Sequence, residues 1–173
     1  TVSGSAITGM ENVTVGTAAN VTFGGTIDAA ATVDFGAQLS LNGTVTGTLA
    51  NNGTFTADGL ATVSGQMTNI GDINVATGKA ISPDGNLNNF GGVNLTGGSV
   101  TGSGTMNNFG TIQGKGAVTA QLSNSGQVFA NGGGVLSVTN LAGGTNSGEM
   151  RVQTGSSLNT GAMNNASLVV GAG

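Results

Sequence analysis

Leu87-Asn88-Asn89-Phe90-Gly91-Gly92-Val93-Asn94-Leu95 returns nineteen residues on as Met106-Asn107-Asn108-Phe109-Gly110-Thr111-Ile112-Gln113-Gly114. The shared frame is Asn-x-Gly, with an apolar residue two before the Asn and another four after it. Followed outward, the frame places Asn at 51, 69, 89, 108, 124, 146 and 165, in steps of 18, 20, 19, 16, 22 and 19. Only the last copy, Asn165-Ala166-Ser167, lacks the Gly. The slot four after the Asn reads Phe55, Ile73, Val93, Ile112, Val128, Met150 and Val169. The slot two before it reads Leu49, Met67, Leu87, Met106, Leu122 and Met163. In the 22-residue step Leu141 lies five residues ahead, as if Ala142-Gly143-Gly144 were inserted at a corner.

Inside each copy apolar and polar residues alternate, which is the pattern of strands with one face buried. The copy at 71–89 divides into Asp72 to Ala76, Lys79 to Ser82 and Asn86 to Asn89, separated by turns at Gly78 and Asp84-Gly85. Gly and Asn at the corners suit left-handed backbone. A unit this short cannot bury its own apolar face, so it must stack on its neighbours, strand over strand, about 4.8 Å apart. The expected fold is all-β: a parallel β-helix, right-handed by the crossover rule, with about 19 residues and three short strands per coil. Strand one begins near 13, 33, 55, 73, 93, 112, 128, 150 and 168. Residues 1–173 form one β-solenoid domain, with less regular coils over 1–50 and regular Asn-x-Gly repeats over 51–173. In the irregular part Val13 and Val33 align with Phe55, Val15 with Phe35, and Val21 with Leu41.

Composition removes most chemistry. Gly, Thr, Asn and Ser make up 92 of the 173 residues, and there is no Cys or His. That excludes thiol or imidazole metal sites, a His-based triad and disulfides. Three cations against seven acids, a net charge of −4, leave no footprint for nucleic acid. Apolar runs of three or four residues cannot form a membrane-spanning helix. Asp58, Asp72 and Asp84 are spaced to fall on different sides of a coil, and Asp58 and Asp84 each precede a turn Gly. They do not form the converging carboxylates of a glycosidase. Gly97-Gly98-Ser99 and Gly132-Gly133-Gly134 lack the Asp of a calcium-binding β-roll. Gly102-Ser103-Gly104 and Gly114-Lys115-Gly116 read as turns, since no helix follows to cradle a phosphate. No enzyme activity, metal or cofactor is expected.

Two features remain. The Asn column is expected to be structural, each amide passing a hydrogen bond to the next coil; the competing reading is that Asn serves only left-handed φ. Among the aromatics, Phe90 and Phe109 share one slot and should stack, while Phe129 should face outward as a candidate contact.

Asn107-Asn108-Phe109-Gly110-Thr111-Ile112-Gln113-Gly114 and Leu122-Ser123-Asn124-Ser125-Gly126-Gln127-Val128 resemble the repeats of bacterial surface β-solenoids, the autotransporter passengers and filamentous-haemagglutinin-like adhesin stalks. The resemblance covers roughly residues 33–173. It implies export, an extracellular or bacterial cell-surface location, and a part in adhesion or fibre formation, with cell-surface glycans as candidate ligands. The expected function is thus a non-enzymatic subunit or segment of a surface filament or stalk. The alternative is a binder of ice or carbohydrate; less favoured is a polysaccharide-degrading β-helix enzyme. The outward strand-one column, Thr56, Asn74, Asn94, Gln113, Phe129, Arg151 and Val170, is not the flat Thr array that the alternative needs. A bare terminal coil exposes unpaired backbone, and no capping segment is evident. The expected partner is a second copy stacked head to tail, or the next segment of a longer chain. The assembly surface would comprise Thr1 and Val2 at one end and Leu168, Val169 and Val170 at the other, with Leu168 and Val170 pointing outward.

Overall fold

The structure, a computed structural model, describes residues 6–161 and 164–170; of residues 144, 145 and 164–170 it describes the backbone alone. Thr1 and Val2 lie outside the described residues. Every strand pairing is parallel and joins each coil to the one before and the one after. The fold is a β-solenoid. Its regular coil is seen in Asp72–Ala76, Ala80–Pro83 and Leu87–Asn89, three strands on three faces. The turn between the first two closes by a hydrogen bond from the Lys79 amide to the Ala76 carbonyl (2.9 Å), with Gly78 at φ 74°. In other coils one strand runs through this corner, as in Gly92–Val100 and Thr111–Val118. Gly114-Lys115-Gly116 is therefore not a turn. It lies within a strand whose two glycines, at φ 113° and 140°, bend it from face one to face two.

The face-one register runs through Asn20, Gln38, Thr54, Asp72, Gly92, Thr111, Gln127, Glu149 and Ser167, in steps of 16 to 22 residues. Inside, apolar side chains stack in columns that run from coil to coil. Leu49, Met67, Leu87, Met106 and Leu122 stack on one side, and Phe55, Ile73, Val93, Ile112, Val128 and Met150 on another; all are 0–1% exposed. Burying each such side chain contributes about 1.5–3 kcal/mol, and the stacking of coils is what buries them.

Four expectations are corrected. Val21 does not align with Leu41; it pairs with Leu39, and Phe23 with Leu41. Val13 and Val33 do not align with Phe55. Val13 pairs with Ala31, and Val33 with Asn51, both on face three, while Leu39 and Val21 precede Phe55 on face one. Residues 12–45 thus stack in good register with coils of 18 residues, two fewer than the spacing used to align them. Phe35 is not a core partner of Val15. It sits in the tight turn closed by the Ala37 amide and the Asp34 carbonyl, and is 83% exposed. At the C-terminal end Leu168, not Val169, takes the register position of Met150; Val169 pairs with Arg151 and Val170 with Val152. The corner after Asn165 is one residue shorter than that after Asn146, because the Gly of the motif is missing there, and this shifts the strand by one. The insertion at 142–144 is confirmed, but as an irregularity inside the strand Leu141–Val152 rather than at a corner.

Candidate functional site

The most ordered polar constellation is buried. Asn51, Asn69, Asn89, Asn108, Asn124 and Asn146 stack at the corner between faces three and one, each 0–2% exposed. The Nδ2 of each donates to the Oδ1 of the next: Asn51 to Asn69 at 2.6 Å, Asn69 to Asn89 at 2.7 Å, Asn89 to Asn108 at 2.7 Å, Asn108 to Asn124 at 2.6 Å and Asn124 to Asn146 at 2.6 Å. Nδ2 also serves the backbone carbonyl of the Gly two residues on, as from Asn69 to Gly71 (3.0 Å). It serves one carbonyl in the next coil as well, as from Asn51 to Asp72 (2.9 Å). Because those carbonyls can only accept, the atom facing them must be the NH₂, and every amide points its donor toward the C-terminal end. The backbone of Asn165 continues the column by pairing with Asn146; its side chain is outside the described set.

None of these asparagines has positive φ, and among the described residues the only non-glycine that does is Ala18. The column therefore exists for its amides and not for a left-handed turn. The motif glycines have a related role. A Cβ on Gly91 would overlap the carbonyl oxygens of Gly71 and Ile70, and one on Gly110 that of Gly91, at backbone angles open to any residue. Gly is required there because stacked corners approach too closely for a side chain.

The ladder has a start. Above Asn51 the column holds Val33, which is 0% exposed, and Asn51 Oδ1 is buried with no hydrogen-bond partner. An unmet buried acceptor costs about 1–3 kcal/mol. Val33→Thr places a hydroxyl of nearly the same shape over it. Its cost is expected to be within about 0.5 kcal/mol of zero, against about 2 kcal/mol for Val63→Thr, which meets no such acceptor. Urea midpoints of the two variants check this; equal losses would mean that the hydroxyl does not reach Asn51.

The surface carries less order than the ladder. Ile70, Phe90 and Phe109 project from the same corner, each more than half exposed, and the two rings stack at 5.1 Å with planes 12° apart. Phe129 is in the outward face-one column, as expected, but it is half-buried, with the Arg151 guanidinium 5.2 Å above its ring, so its face is not a free contact. Asp58 is tied to Lys79 at 3.4 Å, Asp72 accepts from Asn94 Nδ2 at 3.4 Å, and Asp84 is exposed. Among the described residues no three potential metal-binding side chains come together, and no helix is long and apolar enough to cross a membrane.

At the N-terminal end the tube opens into a mouth of about 140 Å³ lined by Ile7, Val13, Val21, Phe23 and Leu39 among others. At the other end Asn164–Val170 pairs with Leu141–Val152 on one edge and, among the described residues, with no strand on the other.

A hydroxyl column on face two was not anticipated. Its signal is Ser99-Val100-Thr101, Ala117-Val118-Thr119 and Ser137-Val138-Thr139, a column separate from the outward strand-one column. Face one reads Thr56, Asn74, Asn94, Gln113, Phe129, Arg151 and then Val169, not Val170.

The architecture defines a parallel β-solenoid with a buried asparagine ladder. Compared with protein-family models, curated proteins and solved structures, the chain finds no match.

Proposed function

We propose that the chain is a non-enzymatic structural element: a segment or subunit of an extracellular, cell-surface filament or stalk of the bacterial adhesin kind. The observation that carries this reading is the coil-to-coil register itself. Core columns, corner glycines and the amide ladder repeat along one axis, and such a design propagates rather than encloses a site. Scattered carboxylates and the resemblance of the repeats to adhesin stalks support it. The apolar mouth near the N-terminal end and the edge of Asn164–Val170 that, among the described residues, pairs with no strand are complementary in kind. One offers buried surface and the other a row of backbone donors and acceptors. A second copy placed head to tail satisfies both, and such a contact does not close on itself. The same surfaces fit the next segment of a longer chain.

The register correction decides how to test this. Leu168 takes the backbone register of Met150, so a variant there does not isolate the contact between copies. Val13→Lys at the rim of the mouth charges the contact instead. Negative-stain microscopy of the wild type should show rods longer than one unit, shortened to single units by Val13→Lys, with the β-rich circular dichroism spectrum retained. A wild-type chain that sediments as a monomer at high concentration would overturn the end-to-end arrangement.

A further inference from the structure

Face two differs from the other faces in what it presents to solvent. Thr26 pairs with Thr44, Thr44 with Thr62, and Thr62 with Ser82, each with its side chain on the outer side. The register then continues through Thr101, Thr119 and Thr139, whose amides bond the carbonyls of Ile81, Val100 and Val118. Seven coils in succession thus carry one hydroxyl each at the same position, about 4.8 Å apart. The outward column beside it runs Leu60, Ala80, Ser99, Ala117 and Ser137, mostly small and wholly uncharged.

The hydroxyls are also unengaged. On face one the outward amides bond each other from coil to coil, Asn94 to Asn74 at 3.0 Å and Gln113 to Asn94 at 2.8 Å. On face three Asn107 bonds Asn88 at 2.9 Å. Among the described residues the face-two hydroxyls make no such bonds. Thr101 alone leans on a carbonyl, that of Ile81, at 3.4 Å. Duplication of a repeat does not account for the column. The face-one position of the same seven coils reads Thr22, Ser40, Thr56, Asn74, Asn94, Gln113 and Phe129, losing its hydroxyl after the third coil, while face two keeps one in all seven.

We infer that face two is an ice-binding surface. Each Thr offers a hydroxyl and a methyl, held in few rotamers by β-branching on strands already fixed by the core, so little ordering cost opposes binding. Hydroxyls repeating at the coil rise hold waters at a spacing close to an oxygen repeat of the ice lattice, and the methyls fit between them. A glycan is the poorer occupant. Sugar rings are gripped by aromatic faces with amides or carboxylates beside them; these two columns hold no aromatic and no carboxylate, and over the seven coils only one amide, Asn42 beside Thr44; Phe90 and Phe109 project from another corner. The inference is independent of filament assembly, since it needs a single rod.

The test measures thermal hysteresis and inhibition of ice recrystallisation for wild type, Thr101→Lys with Thr119→Lys, Thr119→Val, and Asn74→Lys as the face-one control. Circular dichroism verifies each fold. Wild type should inhibit recrystallisation. The double Lys variant should need at least about tenfold more protein for the same effect, and Asn74→Lys should behave as wild type. Thr119→Val, which keeps the shape and removes one hydroxyl, should fall between them and covers the case of a misfolded Lys variant. Wild type no better than serum albumin at equal mass, or equal loss in Asn74→Lys, overturns the proposal. So does wild type that is inert on ice but pellets with crystalline cellulose or chitin, or dimerises, through Thr101 and Thr119.

Discussion

Asn108→Leu is expected to lower stability by about 3 kcal/mol, although Leu is apolar, similar in size and entering a fully buried site. Asn108 gives its amide hydrogens to Asn124 Oδ1, the Gly110 carbonyl and the Gln127 carbonyl, and accepts from Asn89. Removing it leaves several buried groups short of a partner, at about 1–3 kcal/mol for each wholly unsatisfied one. In a chain of this size that corresponds to a fall in melting midpoint of roughly 6–12 °C. Asn51→Leu is expected to cost less than half as much, because it also removes the acceptor that, among the described residues, the ladder leaves unmet. Thermal melts of the two variants and Asn89→Leu decide the matter. Midpoints unmoved in both Asn89→Leu and Asn108→Leu would show that the ladder contributes nothing.

Gly91→Ala should be as damaging, for a different reason. The new methyl group meets the Gly71 and Ile70 carbonyl oxygens, which belong to the preceding coil and cannot rotate away. Overpacking against backbone costs about 3 kcal/mol. Gly78→Ala is the informative partner. Gly78 has φ 74° but open space around it, so Ala there should cost about 1 kcal/mol. A view based on dihedral angle alone ranks the two the other way round. Denaturant titration of both variants distinguishes them, and a larger loss at Gly78 would sink the close-stacking explanation.

The fold was legible wherever Asn marked the corner. From residue 51 onward the Asn column, the apolar slot two before it and the one four after it located strands such as Asp72–Ala76 and Leu87–Asn89 within a residue or two. Before residue 51 the same corner position holds Val15 and Val33. All three strands of a coil alternate in the same way, so without Asn nothing in the pattern tells face three from face one, and spacing alone puts Val13 and Val33 on the wrong face. The slip at Leu168 has the same origin, since Asn165-Ala166-Ser167 lacks the Gly that sets the corner length. The ladder was legible as a column, but its direction and its orphaned end were not, because both depend on which atom faces the corner carbonyls. The face-two hydroxyls were obscured by variable corners. Gly97-Gly98 and the irregularity between Leu41 and Gly43 change the distance from the Asn marker from coil to coil.

The parallel register has a mechanical consequence. Backbone bonds between coils run along the rod, so a pull on its ends loads them in series, one coil at a time, and not as a sheet sheared all at once. Each coil holds about 18 residues, roughly 60 Å of extended chain, in about 4.8 Å of rod. A tether built this way yields by releasing single coils from an end. Each release adds more than ten times the length it removes, and the coils behind it stay intact.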